Sequence, residues 1–193
     1  MNAACAKYGR DITKEDIFFY VYGFLHHPKY RETFKDDLKK SLPKIPFVDK
    51  AEDFRAFSKA GRDLAQLHLN YENIKPPPDI EVMDKGGGYR VSKMQHPKKN
   101  QRDTIIYNSN VTISNIPAKA YDYVISGWSA IKWVMDSYQV EIDKRRGSMI
   151  VNDPNLYMEE IGDPKYILNL LLSVIGVSVR TVEIIEGLPE SIE

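Results

Sequence analysis

Cysteine is almost absent from this sequence. The single thiol, Cys5, excludes an intrachain disulfide and a multi-cysteine zinc site. That usage suits a reducing compartment, and the cytoplasm is the expected location. Net charge is lacking too, because 27 Lys plus Arg stand against 27 Asp plus Glu. Such a chain has no global attraction to nucleic acid or to a membrane surface, so any polyanion site must be a local patch. Long apolar runs are missing. Ile17-Phe18-Phe19-Tyr20-Val21-Tyr22 and Leu170-Leu171-Leu172 fall well short of the roughly 20 residues a membrane helix needs. No membrane partner is expected. Met1 to Arg10 has no apolar core of signal-peptide type, and no internal repeat or low-complexity tract is visible. What remains is an ordinary globular composition. With 42% apolar residues among 193, the chain can bury one core, or two small units that share one.

Catalytic motifs are also lacking. There is no phosphate-cradling Walker A loop. Gly86-Gly87-Gly88 precedes a strand pattern and not a helix, so it does not read as a dinucleotide loop. Ser126-Gly127-Trp128-Ser129 has the wrong order for a nucleophile elbow. Of the four histidines, His26 and His27 are adjacent and diverge by about 100° on a helix, which chelates poorly. They read as a helix end, and His68 as a hydrogen-bonded core histidine. Glu141-Ile142-Asp143-Lys144 resembles a nuclease tail but has no matched upstream Pro-Asp. Asn152-Asp153-Pro154-Asn155 is not the Asn-Pro-Pro-aromatic motif of amino-methyltransferases, and reads as a turn held by Asx-type bonds. No catalytic, cofactor-binding or metal-ligating residue is therefore assigned.

Periodicity predicts an α+β chain with an N-terminal helical support, a small central antiparallel β unit and C-terminal helices. Thr13 and Asp16 form a capping-box pair ahead of Ile17, Phe18, Val21, Tyr22 and Leu25 at helical spacing. Pro28 suits the first position of a second helix through about Ser41, with Tyr30, Phe34 and Leu38 as its buried stripe. Asp49 is a plausible cap for a third helix running to about Leu69. Pro76-Pro77-Pro78 is the clearest internal boundary, which divides residues 1–75 from residues 76–193 within one compact whole. After it Tyr89 to Met94 alternates like a strand, and Thr104–Ser114 reads as a hairpin turning at Asn108-Ser109-Asn110. Pro117 opens a predicted helix to about Ile125, and Ser129 caps another through Tyr138. Val140–Ile142 reads as a short strand. Asp163-Pro164 begins a helix to about Ile175, followed by a segment, Val177–Ile185, that could be strand or helix.

The positive functional signal is electrostatic. Lys85 to Arg102 holds six basic residues (Lys85, Arg90, Lys93, Lys98, Lys99, Arg102) and no acid. Gln95, His96, Asn100 and Gln101 add hydrogen-bonding groups in the same stretch. A second basic cluster is Lys144-Arg145-Arg146-Gly147-Ser148. By contrast, Glu159 to Glu193 carries seven acids against two bases, so neutrality hides a polarised chain. Lys and Arg neutralise phosphates, while Gln, Asn and Arg read base edges in the major groove. Lys93, Lys98, Lys99, Arg102, Lys144, Arg145 and Arg146 are the phosphate candidates. Gln95, His96, Asn100 and Gln101 are the base-reading candidates. Solvated loops are the bland alternative for each run taken alone.

Several phrases taken together resemble a known family. Ile17 to His26 with Pro28-Lys29-Tyr30-Arg31, Leu42-Pro43-Lys44-Ile45-Pro46, and Phe57 with Ala60 through Tyr71 resemble the C-terminal specificity domain of Type ISP restriction–modification enzymes. So do Ile116-Pro117, Tyr121, Tyr123, Ser126 through Val134 and Asn152-Asp153-Pro154-Asn155. Trp128 stands where an arginine would be expected in a Gly-Arg-Ser-Ala phrase. The resemblance implies a non-catalytic target-recognition domain that holds double-stranded DNA against an adenine methyltransferase of the same parent chain. It also implies a parent with nuclease and helicase-like ATPase parts that uses S-adenosylmethionine, ATP and Mg, with no cofactor in this domain. Helices Lys14–Asn70 would dock to the methyltransferase. The rival readings are a protein-interaction module and, at a distance, a small hydrolase with convergent carboxylates in a deep pocket.

Overall fold

Thr13 starts the first long helix as its local spacing predicts. In the computed structural model, which describes residues 2–143, 147 and 149–192, the Thr13 hydroxyl accepts the Asp16 N–H, and the Asp16 carboxylate accepts the Thr13 N–H at 2.9 Å. The reciprocal bonds satisfy two of the orphan donors at a helix start. The chain divides into two compact units, residues 1–69 with 183–193 and residues 70–182.

The first unit holds α1 (Asn2–Tyr8), α2 (Lys14–Phe24), α3 (Pro28–Thr33) and α4 (Ala51–Leu69). Its core is aromatic. The Tyr8 and Tyr20 rings stack on Phe54 at 4.3 and 4.7 Å, and Phe24, Phe57 and Tyr30 complete the cluster. Helices α2 and α4 touch backbone to backbone. A Cβ on Gly61 would stand 1.8 Å from the Phe19 carbonyl oxygen, and one on Gly23 would stand 2.3 Å from that of Phe57. Buried tyrosines also need partners for their hydroxyls. Tyr8, Tyr20 and Tyr30 donate to the carbonyls of Val48, Pro46 and Lys44, and so fasten the extended connector that follows α3. Two expectations fail in this unit. Helix α3 stops at Thr33, and of the predicted stripe only Tyr30 is buried, while Phe34 is exposed. The run Lys35-Asp36-Asp37 supplies no apolar face, and a short helix without one does not persist. Asp49 pairs with Lys7 at 3.2 Å, and α4 starts two residues later.

The second unit is built on a three-stranded antiparallel sheet with order β1-β3-β2: β1 (Glu81–Asp84), β2 (Ile105–Ile106) and β3 (Val111–Ser114). In β3 the alternation puts Val111 and Ile113 inside, where they join Ile105, Tyr107, Ile131, Ile167, Leu171 and Ile175. Two hairpins, β4 (Val124–Ile125) with β5 (Trp128–Ser129) and β6 (Glu141–Asp143) with β7 (Met149–Asn152), accompany helices α5 (Ala130–Ser137), α6 (Pro154–Ile161) and α7 (Tyr166–Glu186). The α+β class is thus as expected. Ser129 caps α5 as predicted, its hydroxyl accepting the Lys132 N–H.

Other local expectations are corrected in this unit. Residues 117–125 are not one helix. A 3-10 turn spans Ala118–Tyr121, and Val124-Ile125 then pairs with Trp128-Ser129 around Ser126 and Gly127, both at positive φ. That turn geometry favours a two-residue hairpin, and β-branched Val124 and Ile125 favour a strand. Asn152 to Asn155 is more than a turn. Asp153 caps a helix, α6, whose first residue is Pro154. The last helix continues through Val177–Ile185, because burial of Val174, Ile175 and Val177 overrides their β preference. At 21 residues α7 is also long and apolar enough to cross a membrane, against the short runs read from sequence. Two-thirds of its apolar stretch is buried inside the protein, as in a core helix.

Candidate nucleic-acid interface

The basic stretch is fed by residues 88–95, which belong to no ladder until Gln95 exchanges both backbone bonds with Ile106, at 3.1 and 2.8 Å. The alternating pattern of Tyr89 to Met94 therefore does not make the predicted strand. Side chains take the place of a neighbouring strand. The Tyr107 hydroxyl donates to the Tyr89 carbonyl, and the Asn108 amide donates to the carbonyls of Gly88 and Arg90. The Asn155 amide holds both backbone groups of Val91. Asn108 also accepts the N–H groups of Asn110 and Val111, which closes the turn of the Thr104–Ser114 hairpin.

From Gln95 the chain leaves the sheet as a closed loop and returns at Ile105. His96 Nδ1 donates to the Thr104 carbonyl at 2.8 Å, and its ring meets Tyr121 edge-on at 5.7 Å. Tyr121 forms the floor. It donates to the Arg102 carbonyl at 2.7 Å, and the Arg102 guanidinium lies 5.7 Å from its ring centre. Burial holds the Tyr121 phenol well above its ordinary pKa, so it stays a neutral donor. The Gln101 N–H bonds the Lys98 carbonyl at 3.0 Å, which folds Lys98-Lys99-Asn100-Gln101 into one turn at the tip.

Of the residues singled out from sequence, Lys98, Lys99, Asn100, Gln101 and Arg102 are brought together, all exposed. Gln95 and His96 sit at the base, Gln95 exposed and His96 half-buried. Lys93 is exposed on the lead-in segment. Lys93, Lys98 and Lys99 form no ion pair among the described residues. Arg90, one of the six bases of the run, is already engaged by Asp153 and Glu159. Lys144, Arg145 and Arg146 lie outside the described residues. Sequence reasoning missed Tyr121 and Asn108 as supports of this loop. Tyr121 is 19 residues from the carbonyl it binds, and no local spacing marks such a pair.

A cleft of about 530 Å³ lies beside the lead-in segment, between Tyr89, Arg90, Asn155, Met158 and Glu159. Its walls are mainly apolar, and its one carboxylate is paired with Arg90. Among the described residues no cluster of three His, Cys, Asp or Glu is placed to hold a metal. The site is a polar, cationic loop held at its base by backbone and side-chain hydrogen bonds, with groups suited to contacting phosphates and base edges.

The comparisons with known proteins give the class, a specificity domain. The family model of the Type ISP C-terminal specificity domain matches residues 1–170, and the chain belongs to that family. Among solved structures it is similar to the Type ISP restriction–modification enzyme LlaGI, a nuclease-deletion mutant in complex with a DNA substrate mimic. Identity is 50% over 93% of this chain, with a TM-score of 0.81. It is also similar to the ATP-dependent Type ISP enzyme LlaBIII bound to DNA, at 48% identity over 98% of the chain and a TM-score of 0.83. DrdV, in a complex with DNA, is 27% identical over 98% of the chain, with a TM-score of 0.77. The chain spans 14%, 12% and 19% of the lengths of those three. A comparison with curated proteins gave no match.

Proposed function

We propose that this domain is the DNA target-recognition part of a single-chain restriction–modification enzyme. It would read a short sequence on duplex DNA and hold the duplex for an adjacent adenine methyltransferase of the same parent chain. The observation that carries this reading is the family match, together with relatives of half-identical sequence that were solved with DNA. The domain itself would catalyse nothing. S-adenosylmethionine, ATP and Mg would be used by other parts of the parent, in the cytoplasm.

Within the domain we assign DNA contact to the loop that runs from Gln95 to Arg102. Lys93, Lys98, Lys99 and Arg102 would meet phosphates, joined by Lys144, Arg145 and Arg146. Asn100 and Gln101 would read base edges, since each offers a paired donor and acceptor that matches adenine. Gln95 and His96 complete the assignment. With Nδ1 committed to Thr104, His96 has only Nε2 left for DNA, an acceptor in the neutral ring. Ile142, Met149, Ile150 and Val151 are each at least half exposed. They favour packing against another part of the parent chain, while docking to the methyltransferase is assigned to helices Lys14–Asn70.

The test is selection of the preferred site from a randomised duplex pool by the full-length chain. Asn100→Ala with Gln101→Ala should relax selection at one or two base pairs, each worth about 1–3 kcal/mol. Binding to non-specific duplex should be retained. An unchanged selected sequence would remove these two residues from base reading.

A further inference from the structure

Asn155 carries a polar amide into the core, where the residue is only 2% exposed. It is the second residue of α6, and its amide reaches Val91, 64 positions earlier. Oδ1 accepts the Val91 N–H at 2.7 Å, and Nδ2 donates to the Val91 carbonyl at 2.8 Å. An antiparallel strand neighbour would make the same two bonds. The orientation of the amide is dictated by Asp153, whose Oδ1 accepts from Nδ2 at 2.6 Å and from the Asn155 N–H at 3.0 Å. A carboxylate only accepts, so the NH₂ end must face it. Helix α6 also holds the neighbouring side chain, since Arg90 pairs with its cap Asp153 and with Glu159 further along. Val91 lies four residues before Gln95, where the loop begins. Between them the Ser92 carbonyl accepts the Val140 N–H at 2.8 Å.

We propose that Asn155 is a positioning residue for the recognition loop, acting as a one-residue strand that fixes the height and register of the segment leading into it. The proposal rests on the reading that the loop meets DNA. Removing the amide leaves both Val91 backbone groups buried without partners, and the segment must shift to satisfy them. A shift of about 1 Å takes Asn100 and Gln101 out of hydrogen-bond geometry with base edges. Lysine stems are long and flexible, so Lys98 and Lys99 follow the phosphates. Discrimination should fall while non-specific affinity stays.

The experiment measures dissociation constants of the full-length chain for two probes at fixed salt, the duplex selected from a randomised pool and poly(dI-dC). Asn155→Ala should reduce the selectivity ratio, the poly(dI-dC) constant divided by the selected-duplex constant, by about tenfold or more, with the salt dependence on poly(dI-dC) unchanged. Asp153→Ser keeps an N-cap for α6 but is too short to orient the amide, and it should reduce the ratio in the same direction. It carries the test if Asn155→Ala does not fold. Leu171→Ala, a truncation of a fully buried α7 side chain, is the stability control and should leave the ratio unchanged. An unaltered ratio in both Asn155→Ala and Asp153→Ser overturns the proposal, and so does an equal fall in Leu171→Ala. Failure of the underlying DNA reading looks different, because Lys98→Ala with Lys99→Ala would then leave the salt dependence of binding unaltered.

Discussion

The two units are held together by different means. In residues 1–69 with 183–193 the centre is an aromatic cluster, the Tyr8 and Tyr20 rings stacked on Phe54 and Phe57 edge-on to Tyr20, with tyrosine hydroxyls fastening the connector around it. In residues 70–182 the lead-in to the Gln95–Arg102 loop has little regular ladder, and asparagine and tyrosine side chains bond its backbone directly. The first arrangement tolerates surface change but not loss of volume. The second holds the lead-in by side chains outside the Gln95–Arg102 loop, so the exposed tip residues Lys98 to Gln101 can change without removing those bonds.

Breaking each unit at its own kind of contact sharpens the contrast. Phe57→Ala should be the most damaging, at about 4 kcal/mol, because a fully buried ring leaves a cavity that the touching backbones of Gly23 and Gly61 cannot close. Chemical denaturation followed by far-UV circular dichroism measures it. Asn108→Ala removes no core volume but four side-chain-to-backbone bonds, and should cost about 3 kcal/mol in the same experiment.

Acid should act on the first unit before the second. Burial lowers the His68 pKa from 6.5 to about 4, with the nearby His26 adding to the shift. The neutral ring shares a 2.7 Å hydrogen bond between Nδ1 and the Tyr22 hydroxyl. His26 and His27 are shifted down as well, chiefly by burial. A histidine held neutral in the folded state contributes its stability above pH 6.5. That contribution is lost as pH falls from 6.5 toward 4, since the unfolded chain takes up the proton first. We expect a loss of about 2 kcal/mol across that window, monitored by amide exchange in α2 and α4. His68→Gln should flatten the pH dependence. The smallest effect belongs to the α2 cap. Thr13→Ala should cost about 1 kcal/mol by thermal melting, with the Asp16 N–H left to water.

What was legible in the sequence follows from how far apart the interacting groups lie. The Thr13–Asp16 box, the Pro28 start of α3 and the Ser129 cap rest on contacts three or four residues long, and a reader of the chain finds them. The acid-free run from Lys85 to Arg102 is legible for the same reason, since charge density is a local property. Tyr89 to Met94 looked like a strand because its pattern is that of one. Its partners are side chains 18 to 64 residues away, which no periodicity announces. Asn155 could be read only as part of a turn, because the Asx bond to Asp153 is local and the bond to Val91 is not. The α3 stripe misled because Phe34 and Leu38 have helical spacing but no helix beneath them.

The most direct test of the account compares two lysine pairs, one in each unit. Lys98 and Lys99 lie on the Gln95–Arg102 loop proposed to meet DNA, and Lys39 and Lys40 follow α3 in the helical unit. Binding of the full-length chain to duplex DNA is measured against salt concentration for Lys98→Ala with Lys99→Ala, and for Lys39→Ala with Lys40→Ala. Each lost phosphate contact lowers the log–log slope by about 0.9. The loop pair should flatten the slope by up to about two units and weaken all sequences alike, while the helical pair leaves it unchanged. An unchanged slope for the loop pair, or a flattened slope for the helical pair, would contradict the assignment of DNA contact to the Gln95–Arg102 loop.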